Sequence, residues 1–312
     1  MSDPEFGFVG SAGASANPLP HNFLGLDERA SSPVTCRVVV AQIPFEATTT
    51  YRAGTREGPS AIVRASRNVE LYDEELGIEP YTVGIHTLPE LDLPLHDLRS
   101  SHAQIEALVG ALVAENKFPV ILGGEHSISI GAVKALRSVF PDLTVLQLDA
   151  HADLRDTYSG TPFSHACTAR RILESCPLIQ VGVRSYSREE ADFLERGQKA
   201  NLWSVQRVRS CDNAPEDIVS RLGPNVYVTV DLDVLDPSEM PSVGTPEPGG
   251  LYWREVLSIL RGVMRDRNVV GIDFVELCPV PGNVAPDYLA ARLAYKAIAY
   301  KFQGALQRET PG

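Results

Sequence analysis

The sequence predicts an α/β fold built on a mostly parallel sheet with helices covering both faces. Three observations carry that expectation. Apolar, β-branched runs alternate along the chain with stretches of helical periodicity, the pattern of repeated strand–helix–strand units. Four of the runs deliver acids or histidines at their carboxyl ends, the edge of an open α/β sheet where ligands bind. At 312 residues, with 44% hydrophobic and 22% charged residues, the chain suits one large globular domain, and no repeat or composition shift marks a boundary.

Residues 1–33 are rich in Ser, Ala, Gly, Pro and Asn without sustained periodicity, so they are expected to form an irregular arm ahead of a domain spanning 34–312. Pro59-Ser60 opens a helix, proline being suited to a first turn. Ala103 to Glu115 has helical spacing. Phe118–Leu122 reads as a strand that runs into Gly123-Gly124-Glu125-His126-Ser127, where glycine permits a tight turn or close backbone approach. Ser129 to Val139 is again helical. The strand-like run ending at Leu148 stops in Asp149-Ala150-His151-Ala152-Asp153, and after a helix over Glu189 to Arg196 a second run, Val226 to Val230, stops in Asp231-Leu232-Asp233. A helix over Trp253 to Arg265, a strand over Val269 to Val275 leading into Glu276, and a helix over Tyr288 to Phe302 complete the set.

Charge and cysteine usage narrow the setting. A net charge of -12 argues against nucleic acid or an anionic membrane as partner, since either asks for a basic patch. No run approaches the ~18 apolar residues of a membrane span, and neither a basic n-region nor an apolar h-region follows Met1. Cys36, Cys167, Cys176, Cys211 and Cys278 are odd in number and lack CxxC spacing, as expected of reduced thiols in a cytoplasmic protein.

The chemistry lies in the acidic clusters. Alternate residues of a strand share a face, so Asp149, His151 and Asp153 can converge on one point. Taken alone, that segment reads equally as a metal site or as a solvated acidic turn. Asp231 and Asp233 repeat the design, and His126 follows a third strand. Together His126, Asp149, His151, Asp153, Asp231 and Asp233 offer two imidazoles and four carboxylates. One zinc takes fewer ligands, whereas an oxygen-rich set of six suits two harder ions such as Mn²⁺. Two ions a few Å apart can share a water and lower its pKa toward neutrality, which is equipment for hydrolysis.

At these residues the chain resembles the ureohydrolase (arginase/agmatinase) family, in its agmatinase-like branch. Gly123-Gly124-Glu125-His126-Ser127, Asp149-Ala150-His151-Ala152-Asp153 and Asp231-Leu232-Asp233-Val234-Leu235-Asp236-Pro237 are similar to its three metal-site motifs. Gly54-Thr55-Arg56-Glu57-Gly58-Pro59, Gly244-Thr245-Pro246 and Asp273-Phe274-Val275-Glu276 match in the same order, so the resemblance runs from about Val38 to Tyr300. It implies a single three-layer α/β/α domain around an eight-stranded parallel sheet, two Mn²⁺ per subunit and a homo-oligomer, trimeric or hexameric. It assigns one ion to His126, Asp149, Asp153 and Asp231 and the other to His151, Asp149, Asp231 and Asp233, and so puts Asp153 in the catalytic set. A hydroxide bridging the ions would attack the guanidinium carbon of a small cationic guanidino substrate. Glu276 would pair with that guanidinium, Thr245 would bond nearby, and His165 in Ser164-His165-Ala166-Cys167 would carry the proton to the leaving amine. His21, His86, His96 and His102 are read as surface or structural residues.

Substrate choice follows from departures within the resemblance. Arginases read the amino-acid end of arginine with an asparagine after the second motif and acids in a later loop. Here Arg155 and Asp156 stand in the first region and Ser185-Tyr186-Ser187 in the second. Agmatine, giving putrescine and urea, is therefore the expected substrate, and Tyr158 to Arg171 looks agmatinase-like as well. Guanidinobutyrate, whose carboxylate Arg155 would face, N1-aminopropylagmatine and, less favoured, arginine remain alternatives. Ligand type leaves Ni²⁺ and Co²⁺ open beside Mn²⁺. Two readings from other classes are a zinc deacetylase-like hydrolase and a non-catalytic metal-binding interaction protein.

Overall fold

Nearly continuous β-branched runs, buried on both faces, form the centre of the fold, as parallel strands require. The computed structural model describes residues 20–196 and 200–309. Its strands are β1 (Val38–Ile43), β2 (Ile85–Glu90), β3 (Phe118–Gly123), β4 (Leu143–Leu148), β5 (Leu178–Val183), β6 (Ala200–Ser204), β7 (Asn225–Asp231) and β8 (Asn268–Val275). They make one eight-stranded sheet in the order β2-β1-β3-β8-β7-β4-β5-β6, and every pairing is parallel.

The helices are α1 (Gly58–Ser66), α2 (Leu98–Ala114), α3 (Ser129–Val139), α4 (Thr168–Leu173), α5 (Arg188–Glu195), α6 (Val205–Ser210), α7 (Ala214–Ser220), α8 (Trp253–Asp266) and α9 (Ala285–Glu309). Strand alternation divides the core between the two faces. Val120 and Leu122 of β3 and Val226, Val228 and Val230 of β7 pack with α1, α7, α8 and α9. Ile121 and Tyr227, one residue out of phase, pack on the other face with α2, α3 and α4. The result is the expected three-layer α/β/α sandwich.

Four strands were legible as runs ending in polar residues. β1 and β5 end in no acid or histidine, and β2 and β6 are edge strands of mixed polarity, so nothing tied them to the ligand-bearing set. The short helices α4, α6 and α7 were not anticipated. Their six or seven residues are too few for a periodic pattern to stand out. The stretch read as an arm is in part built into the domain. Phe23, Leu24 and Leu26 are buried in the core beside α1, with the Leu24 N–H donating to Ser66 Oγ at 2.8 Å. Residues 1–19 lie outside the described residues. Among the described residues no helix is long and apolar enough to cross a membrane, and all five cysteines are free.

Candidate metal centre and active-site cleft

Four neighbouring strands, β3, β8, β7 and β4, end side by side at the centre of the carboxyl edge. Each is followed by one of the polar segments singled out above. His126 opens a 3₁₀ turn after β3, Asp149 to Asp153 follow β4, Asp231 to Asp233 close β7, and Glu276 follows β8.

Their side chains form two groups of donors that share Asp149. In the first, buried His126 Nδ1 lies 3.0 Å from Asp149 Oδ2 and 3.3 Å from both Asp153 Oδ2 and Asp231 Oδ2. In the second, His151 Nδ1 lies 2.8 Å from Asp233 Oδ2 and 3.8 Å from Asp149 Oδ1. Simple strand alternation therefore needs correction, since Asp149, His151 and Asp153 do not converge on one point. β4 ends at Leu148, and Asp153 adopts a left-handed backbone with φ of 52°. That turn sends Asp153 back to His126 while His151 faces Asp233. A non-glycine residue rarely accepts this conformation outside sites where the surroundings enforce it.

Neighbouring hydrogen bonds hold the donors in place. Asp233 accepts the Ala150 N–H at 3.0 Å, Asp149 accepts the His151 N–H at 2.6 Å, and Asp231 accepts the Asp233 N–H at 2.9 Å. Gln147 Nε2 donates to Asp149 Oδ2 at 2.6 Å, and Gln147 Oε1 accepts from Gln180 Nε2 at 3.1 Å.

A further network fixes the His126 tautomer. Asp273, fully buried on β8, accepts the hydroxyls of Tyr227, Ser129 and Thr229. Thr229 thus spends its one hydroxyl proton on Asp273, so its 2.8 Å contact with His126 Nε2 requires that nitrogen to donate. Neutral His126 then turns a bare Nδ1 lone pair toward three carboxylate oxygens. That atom is buried and has no well-directed hydrogen bond. A lone pair facing only acceptors fits a bound cation, with the outer hydrogen bond orienting the ring as in metal-ligating histidines.

Electrostatics point the same way. Burial, then Asp233 and Asp149, hold Asp231 well above the carboxylate range, and burial with Asp149 lifts Asp153 to about 7. Burial lowers both imidazoles, but the surrounding carboxylates overrule it. His126 stays well above its ordinary value, and His151, driven chiefly by Asp233, rises to about 11. Burial also opposes the Asp233 charge, yet His151 draws that carboxyl down to about 2. A donor set that grips protons in this way lacks positive charge, which divalent cations would supply. Its dominance by oxygen favours hard ions.

A cleft of about 300 Å³ opens over these groups and is lined further by Glu276, His165, Thr245, Arg155, Tyr158 and Glu190. Glu276 has φ of 66° and is 7% exposed, with Oε1 accepting the His126 N–H at 2.7 Å. Burial and then Glu125 keep its carboxyl well above the usual range. Thr245 Oγ1 lies 3.5 Å from Asp233 Oδ2. His165 is partly buried, and burial lowers its pKa despite the opposing charge of Glu125. The Arg155 guanidinium lies 4.9 Å over the Tyr158 ring, with Nε 4.0 Å from Glu190 Oε2.

Sequence reasoning missed several supports. Buried Glu190 accepts the N–H groups of Leu154 and Ser187 and the Ser187 hydroxyl. Its Ser187-Arg188-Glu189-Glu190 segment carries the S-x-x-E capping-box signature that could have revealed it. Arg184 holds the loop carbonyls of Asp233 and Glu247, each at 2.8 Å. Glu125 and Thr48 had no such signal, because their partners come from distant parts of the chain.

Comparison with known proteins agrees with this architecture. The sequence profile described as "Arginase family" matches residues 36–300. The chain is 39% identical to the N(1)-aminopropylagmatine ureohydrolase of Synechocystis sp. over 288 residues, 90% of this chain and 94% of that one. It is 35% identical to an agmatinase of Bacillus cereus over 252 residues, 78% and 84% of the two chains. The crystal structure of agmatine ureohydrolase of Thermoplasma volcanium superposes with a TM-score of 0.82 at 31% identity, covering 93% of this chain and 97% of that one.

Proposed function

The chain belongs to the arginase family and is a hydrolase of guanidino C–N bonds, and on that premise we propose that its substrate is a linear guanidino polyamine. That substrate is agmatine, or agmatine lengthened by an N1-aminopropyl group, and the products are urea and the corresponding amine. The observation that carries the reading is the meeting of both donor groups with Glu276 in one cleft. A carboxylate suited to a planar guanidinium stands beside sites for two dications.

His126, Asp149, Asp153 and Asp231 would hold one ion, and His151, Asp149, Asp231 and Asp233 the other. Both would be Mn²⁺, with Ni²⁺ and Co²⁺ as substitutes. When bound, the ions would activate a water for attack on the guanidinium carbon near neutral pH. Glu276 would orient and charge-balance the guanidinium, Thr245 would help hold the ligand Asp233, and His165 would deliver a proton to the departing amine.

Arg155 bears on the far end of the substrate. Its charge already faces Glu190 and the Tyr158 ring, so it is poorly placed to receive a carboxylate. This disfavours guanidinobutyrate and arginine and leaves Arg155 and Tyr158 as a wall along an aliphatic chain. The open mouth and the names of the relatives at 39–40% identity support the aminopropyl compound at least as strongly as agmatine itself. A cytoplasmic homo-oligomer, trimeric or hexameric, completes the reading.

The test is urea release from agmatine, N1-aminopropylagmatine, guanidinobutyrate and arginine after Mn²⁺ loading, with metal counted per chain. Turnover of the two amines with two ions per chain is expected. Preference for a guanidino acid would overturn the substrate assignment, and a single Zn²⁺ per chain would favour the deacetylase-like scheme. Failure of every guanidino compound would return the chain to a non-catalytic role.

A further inference from the structure

Thr48 lies in the loop that follows β1 and crosses the end of β3, far in sequence from every residue assigned a role above. Its surroundings determine where its proton goes. Glu125 Oε2 accepts the N–H groups of Ala47 at 2.7 Å and Thr48 at 2.6 Å. Glu125 Oε1 accepts the Ser127 hydroxyl at 2.6 Å and the Thr48 hydroxyl at 2.8 Å. Four donors thus meet two carboxylate oxygens, and the single hydroxyl proton of Thr48 is committed to Glu125.

Two groups of His165 also reach Thr48 Oγ1, its backbone N–H at 3.0 Å and its ring Nδ1 at 3.1 Å. With its proton already used, Oγ1 can only accept from both. Nδ1 must therefore carry hydrogen, and neutral His165 keeps its lone pair on Nε2. Ser164 Oγ makes a longer contact with Nδ1, at 3.4 Å. The Tyr158 ring stands edge-on to the imidazole, 6.1 Å between centroids, and limits its rotation.

We propose that Thr48 is a positioning residue for His165, fixing the Nδ1–H tautomer so that Nε2 alone takes up and releases the proton in guanidine hydrolysis. The inference rests on the reading of His165 as proton carrier. In the reaction, the water oxygen bonds to the guanidinium carbon and the bond from that carbon to the alkyl nitrogen breaks. Both protons of the water end on the alkyl nitrogen, one of them relayed by Nε2 as the bond breaks, so that nitrogen departs as an ammonium and neutral urea remains. Nδ1–H stays on Thr48 throughout. Loss of the correct tautomer would slow turnover without disturbing how the guanidinium is held.

The experiment compares Thr48→Val, Thr48→Ser and His165→Gln in the Mn²⁺-loaded full-length protein, with agmatine and N1-aminopropylagmatine as substrates. The valine variant should lower kcat by roughly 10- to 100-fold, less than full loss of a general acid–base group. KM and metal content should stay near wild type, and the serine variant should recover most of kcat. Nitrogen-15 spectra of histidine-labelled protein, assigned with His165→Gln, should show Nδ1–H in wild type and loss of that preference in Thr48→Val. Wild-type kcat in Thr48→Val, equal losses in the valine and serine variants, or an Nε2–H tautomer in wild type would each overturn the proposal. If His165→Gln turns over normally, the proton-carrier reading fails instead, and the spectra still decide whether Thr48 sets the tautomer.

Discussion

The Glu276 carboxylate accepts the backbone N–H of His126 at 2.7 Å, tying the end of β8 to the end of β3 across 150 positions of sequence. The Glu276 N–H in turn donates to the Gly124 carbonyl at 2.8 Å. The group proposed to meet the guanidinium is therefore held by the same short segment that carries the candidate metal ligand His126. Glu276→Gln keeps the shape and removes the charge, so kcat/KM should fall by roughly 100-fold or more while bound metal is retained. Steady-state kinetics with metal analysis checks this, and unchanged kcat/KM would remove Glu276 from the substrate site.

Asp231 faces His126 with Oδ2 and the Asp233 N–H with Oδ1, between the two donor groups. Asp231→Asn is expected to stay folded, lose at least one of two ions and lose turnover by roughly 100-fold or more. Metal counting and thermal melting measure both sides. Retention of both ions with full turnover would remove the bridging role.

Metal should also stabilise the fold. A cation that binds only the native state adds about 2.7 kcal/mol for each site at a free concentration 100 times its Kd. Urea unfolding with and without Mn²⁺ should show a midpoint that rises with metal concentration. A midpoint indifferent to Mn²⁺ would mean that the donor groups do not bind it.

His102 is 2% exposed between the Phe45 and Phe163 rings, and burial, with Lys134, lowers its pKa from 6.5 to about 4. The folded state thus resists a proton that the unfolded chain accepts. The sign follows from linkage: this contribution is complete above pH 6.5 and is lost as pH falls toward 4, by about 3 kcal/mol in all. In metal-free protein, His102→Gln should flatten the decline between these limits. Equal slopes for variant and wild type would show that His102 does not drive it.

A Cβ on Gly124 would sit 2.1 Å from the Phe45 carbonyl oxygen, where the loop after β1 crosses the end of β3. Gly124→Ala must push that crossing apart, at a cost of about 1–3 kcal/mol. Because Glu125 and His126 follow directly, Mn²⁺ retention should drop as well. Denaturation midpoints and metal content report both effects, and wild-type values would contradict so close an approach.

How much was legible depended on where each residue's partners lie. The α/β class, four of the strands and the long helices were readable because periodicity and strand-end acids are local properties. The helix over Ser129–Val139 matches its expected bounds, and the last helix extends beyond Tyr288 to Phe302 at both ends because tertiary packing supports further turns. Spacing made Asp149, His151 and Asp153 visible as a cluster, and it was the family resemblance, not strand alternation, that divided them between the groups of His126 and Asp233. That division depends on a left-handed Asp153 and on partners from β3 and β7.

The sequence by itself determined the architecture and the kind of chemistry, since both follow from residue type and short-range spacing. The tertiary structure alone decided which nitrogen of His126 faces the carboxylates and that the His165 ring meets the Thr48 hydroxyl. Each of those rests on a hydrogen bond between segments roughly 100 or more residues apart, reaching 117 for Thr48 and His165. A side chain has few protons and lone pairs, so its role is set by the neighbours that use them, and only the fold brings those neighbours within 3 Å.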